Sequence, residues 1–371
     1  MNVKKLMYIS PNLSSAKYGG SLVSIANLEA LKLIECLSVL DFSINRTPTP
    51  VSTPVHTTRS RLGTAIANIF LLCGTLSGKG LIQLLHTFLK QKPDIVWLDS
   101  SIFGILIPMF RLLRPRVKIV CYFHNIECEL SKERIGKSRL YILSFFATSL
   151  NEYLSAKLAN VVVSINVSDS EKIYKKYHRK CQDIIPVTIG DDNEPAVDAI
   201  ALDGFRNYIL FVGSDFPPNI EALEFMSKEL RAKIEKSIEI VAVGSGLDKY
   251  KDLYNNLKIH GRVESLAPYY NSALCVIAPI FSGGGMKVKI AEALKYGKPV
   301  LSSAFGAIGY EQAMYKGVFV ADKVEDYAEF INKEKYLHCK KQTICEIFKS
   351  NYSSAVLNKK IYQVVHSLLQ N

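Results

Sequence analysis

Apolar and polar positions alternate along the chain between short solid runs and amphipathic stretches, which predicts strands and helices in turn. Lys5–Ser10 (KLMYIS) reads as a first strand, followed by the loop PNLSSAKYGG. Ser21–Ile34 has helical spacing, and Cys36–Phe42 is a second strand. Residues Ser43–Arg59, with prolines at 48, 50 and 54, read as a polar, mobile loop. Helical segments run on to Lys90, and Ile95–Leu98 and Lys118–Tyr122 are strands, the second leading into FHNIEC. Leu140–Ala159 is a long helix and Val161–Ile165 a strand. Ser168–Lys180 reads as a helix capped by its serine, with Asp169 and Glu171 in the first turn.

Gly190–Pro195 (GDDNEP) has the composition of a linker, and a second series starts after it. Tyr208–Val212, Ile238–Val243, Cys275–Ala278 and Pro299–Ser302 are its strands, with helices at Asn219–Lys233 and Met286–Tyr296. Residues Val356–Leu369 place apolar side chains at 357, 361, 364, 365 and 368, one face of a terminal helix. The pattern is α/β with parallel sheets, in two Rossmann-like lobes with a cleft between them. The expected division is 1–190, 191–350 and a C-terminal helix at 351–371.

Composition narrows the classes. A chain of 371 residues fits two domains and needs neither disulfide nor metal to fold. Apolar residues make up 48%, too many for a disordered chain, yet no apolar run approaches the ~20 residues of a membrane span. The N-terminus MNVKKLMYISPN lacks the apolar core of a secretion signal. The eight cysteines show no zinc spacing and fit free thiols of a reducing cytoplasm. Net charge is +12, concentrated in residues 1–195, where 24 Lys and Arg meet 15 Asp and Glu. That excess implies an anionic partner; the absence of a basic tail or RNA-binding aromatic signature argues against nucleic acid.

The segment richest in chemistry is PIFSGGGMKVKIAEALKYGKPVLSS, Pro279–Ser303. Gly283, Gly284 and Gly285 before a helix offer N–H groups to an anion, and Lys287 and Lys289 add charge, so a nucleotide diphosphate is the natural guest. A helix entry that merely needs glycine, with its lysines in solvent, is the alternative. Glu292 lies off the apolar stripe of this helix. Its carboxylate fits a ribose diol or, more simply, an ion pair with Lys289 or Lys295. Gly19 and Gly20 after the first strand fit a diphosphate or acceptor loop, or a simple turn. His124 and Asn125 end a strand, where ligand-contacting residues belong.

Together these segments resemble the family 4 (group 1) retaining glycosyltransferases of the GT-B fold, in a subgroup with the donor motif GGG-x-K-x-K-x-x-E-A. The resemblance extends through LFVGSDFPPNIEALEFM (210–226), IEIVAVGSG (238–246), IHGRVESLAPYYNSALCVIAP (259–279) and GKPVLSS (297–303). In the first half only the YGG loop and FHNIE match well. The resemblance implies that Glu292 holds the ribose, that Gly244, Ser245, Gly246, Arg262 and Val263 cradle the base, and that the C-terminal helix returns to the first lobe. It gives His124 and Asn125 a place beside the donor sugar, with Glu127 or Glu129 nearby, and makes Tyr269 and Tyr270 candidate cleft residues. Two departures stand out. The family's first motif glutamate falls on Gly284, and the arginine and lysine expected after Gly213 are replaced by Ser214 and Ile220. Lys287 and Lys289 are the candidates to replace that pair, with Lys287 stabilising the leaving diphosphate.

The activity so implied is transfer of a sugar from a nucleotide diphosphate sugar to a hydroxyl of a glycan or lipid-diphosphate-linked acceptor, with anomeric configuration kept. No metal or other cofactor is expected. The setting is bacterial surface polysaccharide biosynthesis, such as O-antigen or capsule, in the cytoplasm or peripherally on the inner face of the plasma membrane. The basic stretches RLLRPRVK (111–118) and KKYHRK (175–180) are the candidates for the anionic membrane surface. A sugar-nucleotide epimerase, or a non-catalytic partner that binds nucleotide sugar or lipid, are the competing readings.

Overall fold

The computed structural model describes residues 3–15, 18–135, 140–190 and 207–370. The chain divides into two units, Met1–Pro186 with Leu357–Asn371, and Val187–Val356. The proposed linker residues 191–195 lie outside the described residues.

In the first unit, β1 (Lys4–Ser10), β2 (Leu37–Ser43), β3 (Thr53–Pro54), β4 (Ile95–Leu98), β5 (Lys118–Phe123), β6 (Val161–Ser164) and β7 (Asp183–Ile184) form one sheet. Its order is β3-β2-β1-β4-β5-β6-β7, and every pairing is parallel. In the second unit, β8 (Tyr208–Val212), β9 (Glu239–Val243), β10 (Lys258–His260), β11 (Val276–Ala278), β12 (Val300–Ser302) and β13 (Val318–Val320) pair, also all parallel, in the order β10-β9-β8-β11-β12-β13. Solid apolar runs such as IVWL and YILFV are what such sheets require, because both faces are covered. Every residue of β4 and of β8 is buried. In a parallel sheet all carboxyl ends share one edge. The strand order reverses between β1 and β4 and again between β8 and β11, so each unit has one natural crevice at its carboxyl edge.

Several elements differ from the sequence reading for local reasons. Thr53–Pro54 pairs with β2 inside the stretch expected to be a mobile loop. The helix expected from Ser168 starts at Val167 and is capped by Asn166, whose side chain accepts from the Asp169 N–H. Only Asp169 remains in its acidic first turn. The helix after β8 spans Pro217–Phe225 and widens to a π turn at Met226–Leu230. The helix after the three glycines begins only at Val288, with Lys287 as its cap. All eight cysteines are free, four of them buried. Among the described residues no helix is long and apolar enough to cross a membrane.

The terminal helix Ser354–Gln370 buries Leu357, Ile361, Val364, Val365 and Leu368, the face expected from the spacing. From Leu357 it belongs to the first unit, where the Lys360 ammonium pairs with Asp183 on β7 at 2.8 Å. Ile361 is fully buried. Ile361→Ala is therefore expected to destabilise the first unit by about 2–4 kcal/mol, read from the midpoint of chemical denaturation.

Candidate functional site

In the second unit the loops at the carboxyl ends of β8, β9 and β10 are locked together through glycine. Gly244 stands at φ +154, and a Cβ there would overlap the Gly213 carbonyl. Gly213 N–H donates to the Val243 carbonyl, Asp215 N–H to the Ser245 carbonyl, and Gly244 N–H to the His260 carbonyl. Gly244, Ser245 and Gly246 thus follow β9 directly, while Arg262, exposed, and Val263, half-buried, lie just past β10.

Gly283, Gly284 and Gly285 follow β11, across the strand-order reversal. They are three to five residues ahead of the helix and do not form its first turn. The Lys287 ammonium turns back onto this loop, donating to the carbonyls of Gly284 at 3.1 Å and Gly285 at 2.7 Å. Lys289 is half-buried, with its ammonium 4.1 Å from the centre of the Phe211 ring and 2.8 Å from Asn219 Oδ1. Asn219 in turn donates to the Ser214 carbonyl at 2.9 Å. Burial first, and the neighbouring Lys287 charge second, lower the Lys289 ammonium to about 7, against an opposing pull from Glu292. Lys289 thus reaches, through Asn219 on the helix Pro217–Phe225, toward the loop after β8 where the expected arginine and lysine are missing, while Lys287 stays on the glycine loop. The loop is anchored again where Ser282 donates to Glu221 at 2.6 Å.

Glu292 is half-buried and accepts from the Tyr270 hydroxyl at 2.9 Å. Tyr270 is fully buried and stacks on Tyr296, with ring centres 4.9 Å apart. One carboxylate oxygen is thereby fixed by a rigid phenol. Tyr269 is buried as well, and its carbonyl accepts from Tyr208.

The first unit carries its own polar cluster at the crevice between β1 and β4. Asp99, one residue past β4, is completely buried. It accepts from Ser10 at 2.8 Å, from Ser24, and from Asn27 at 3.4 Å. His124, one residue past β5 and also buried, places Nε2 3.2 Å from Asp99 Oδ1. Burial alone would lower the His124 pKa; the Asp99 carboxylate, aided by Glu127, reverses this and raises it. Asn125 donates to Glu127 at 3.3 Å, while its Oδ1 is buried with no hydrogen-bond partner among the described residues. Burial raises the Glu127 pKa, with Asn125 opposing and Glu152 adding. Glu129 is exposed and paired with Lys172 at 2.9 Å. Gly19 and Gly20 are the first two residues of the helix Gly19–Lys32, with Tyr18 as its cap. They therefore open onto the carboxyl edge of β1.

Sequence reasoning missed Asp99 and the orienting role of Tyr270. A charged residue set directly against the apolar run IVWL was the available signal for Asp99; nothing in the spacing marks Tyr270. Within the basic stretches Arg111 donates to Asn160 Oδ1, Arg114 to the Pro93 carbonyl, and Arg179 to the carbonyls of Ala159 and Asn160, while Arg116, Lys175 and Lys180 are exposed. Among the described residues no group of three or more His, Cys, Asp or Glu could hold a metal ion.

Residues 206–333, which lie within the second unit, match the model of the glycosyl transferases group 1 family. The sequence matches no curated protein. Solved structures align over nearly the whole chain. HepE from Anabaena, crystallised with UDP-glucose, is 13% identical at a TM-score of 0.68, covering 98% of this chain and 99% of that one. A glycosyltransferase from Rickettsia africae gives the same identity and TM-score over 100% of both chains. The lipopolysaccharide outer core galactosyltransferase WaaB is 12% identical at a TM-score of 0.61, over 97% and 98%. At such identities the likeness is one of fold, and the fold is GT-B.

Proposed function

We propose that the protein is a retaining glycosyltransferase that moves a sugar from a nucleotide diphosphate sugar to a hydroxyl of a glycan or lipid-linked acceptor. The observation that carries this reading is Glu292, held by Tyr270 on the helix that follows the three-glycine loop, in a unit that matches the glycosyl transferases group 1. Glu292 takes the ribose diol through its carboxylate, which the Tyr270 phenol holds in place and so pre-organises. Lys287, Lys289 and the N–H groups of Gly283–Gly285 take the diphosphate and stabilise the charge that develops as it leaves. Gly244, Ser245, Gly246, Arg262 and Val263 contact the base. In the first unit, Gly19 and Gly20 approach the diphosphate, and His124 and Asn125 contact the transferred sugar. The unpaired Asn125 Oδ1 is suited to accept from a sugar hydroxyl.

UDP sugars are the first donors to test, because HepE was crystallised with UDP-glucose. The setting that suits the basic first unit is synthesis of a bacterial surface polysaccharide on an anionic membrane face. Isothermal titration with UDP, GDP and their sugars, without added metal, is expected to show micromolar binding of one nucleotide series. Glu292→Ala is expected to weaken it roughly ten- to 150-fold, since a hydrogen bond to a charged group contributes about 1.5–3 kcal/mol. Absence of binding to every nucleotide would overturn the donor site. Binding without release of nucleotide from any sugar donor would instead mark a non-catalytic partner.

A further inference from the structure

Two packed helices of the first unit expose large apolar side chains while burying small and polar ones. Helix Arg61–Ile69 buries Ala65, Ala67 and Asn68 and leaves Leu62 and Ile66 exposed, with Phe70 just beyond at 68% exposure. Helix Leu140–Leu158 lies against it and buries Asn151, Glu152 and Ser155, while Phe146, Leu150 and Tyr153 face out. Spacings of four and three residues align Phe146, Leu150 and Tyr153 in one stripe, which exposed Lys157 continues. An exposed apolar ridge of this extent is not explained by folding and marks an interaction surface.

Charge identifies the partner. Residues 42–93 contain six Lys or Arg and no Asp or Glu. Arg59 and Arg61 are exposed at the start of the first helix, and the Arg46 guanidinium donates to the Thr58 carbonyl and to Thr64 Oγ1 beside them. Within Leu140–Leu158 the sole carboxylate is Glu152, which is completely buried. The first unit as a whole has 26 Lys and Arg against 12 Asp and Glu, whereas the second has 20 against 22. A second copy placed on this ridge would bring like charge onto like charge. An anionic bilayer accepts both features at once: the apolar side chains enter the headgroup boundary, the aromatic rings sit at its level, and the arginines meet lipid phosphate.

We propose that the ridge formed by Leu62, Ile66, Phe70, Phe146, Leu150 and Tyr153 docks the first unit on an anionic lipid bilayer. The proposal rests on the lipid-linked acceptor reading above for its purpose, but not for its test. The apolar stripe supplies the insertion and the flanking arginines the selectivity, so binding weakens with salt.

The full chain is mixed with vesicles of phosphatidylcholine alone or with phosphatidylglycerol added, and the sedimenting fraction is measured. Binding at least ten-fold tighter to the phosphatidylglycerol vesicles is expected. The double variant Ile66→Glu, Phe146→Glu is expected to weaken it at least ten-fold, with an unchanged melting temperature and unchanged nucleotide titration. Equal binding to both vesicle types, or a variant that sediments like the parent, would overturn the proposal. So would a dimer in analytical ultracentrifugation that the double variant dissolves, which assigns the ridge to a second copy. A failed nucleotide titration would sink the donor site and leave the vesicle result standing.

Discussion

The double variant Lys287→Ala, Lys289→Met is expected to weaken nucleoside diphosphate binding a hundred-fold or more and, in the same protein, to raise the melting temperature by a few degrees. The loss follows from removing two ammonium groups, each worth roughly 1.5–3 kcal/mol to a phosphate. The gain follows from the position of Lys289. Its ammonium rests on one neutral acceptor, Asn219 Oδ1, and an aromatic face, with a like charge nearby. It titrates near 7 in the fold but near 10.5 when the chain is unfolded. Between those values the unfolded chain holds the extra proton, so the stability of the parent rises with pH from about 7 to 10.5. Methionine removes that slope and contributes about 1–2 kcal/mol at neutral pH. The same titration acts on the ligand side. A diphosphate binds the ammonium form, so donor affinity of the parent is expected to fall as pH rises above about 7, and that fall is expected to vanish in Lys289→Met. Calorimetric titration at several pH values with a melting curve for each protein checks both halves. A donor dissociation constant unchanged in the double variant would end the assignment of these lysines.

Asp99→Asn is expected to reduce turnover about a hundred-fold and to destabilise the first unit by about 3 kcal/mol. Asp99 is a positioning residue: it acts through His124 and the hydroxyls of Ser10 and Ser24. The asparagine keeps the shape and loses the charge. Without that charge, burial dominates and the His124 pKa drops below its ordinary value. Imidazole NMR reads this directly. In the parent the folded His124 pKa is raised, so its contribution to stability is complete below the unfolded value near 6.5 and is lost as pH rises through the raised value. A purely structural role for Asp99 would lower stability and leave both the His124 titration and the pH profile of turnover in place.

How much of this was legible depended on whether the information is local. The strand Tyr208–Val212 and the buried face at 357, 361, 364, 365 and 368 follow from periodicity alone, because a solid or 3.6-spaced apolar set has one economical solution. Caps did not follow so readily. Asn166 outcompetes Ser168 because its side chain reaches the Asp169 N–H once the chain leaves β6, and two polar residues two positions apart give no ranking by themselves. The glycine loop was visible as an anion-binding motif, but Lys287 was expected inside a helix and instead caps it, folding onto glycine carbonyls. The pairing of Lys289 with Asn219 spans 70 residues and exists only because β8 and β11 are neighbours in the sheet. Asp99, and the bond by which Tyr270 holds Glu292, escaped for the same reason: each looks like ordinary punctuation or packing until the fold brings its partner alongside.

The return of the chain to the first unit at Leu357 has a consequence for biogenesis. On the ribosome, β1 to β7 are complete long before residues 357–368 emerge, since all of Val187–Val356 is made in between. Throughout that interval the surface of the first unit against which Leu357, Ile361, Val364, Val365 and Leu368 are buried is left uncovered. The first unit is then a natural client for a chaperone, and expression of residues 1–186 alone should yield a sticky, incompletely closed fragment that a synthetic 354–370 peptide rescues when added in trans.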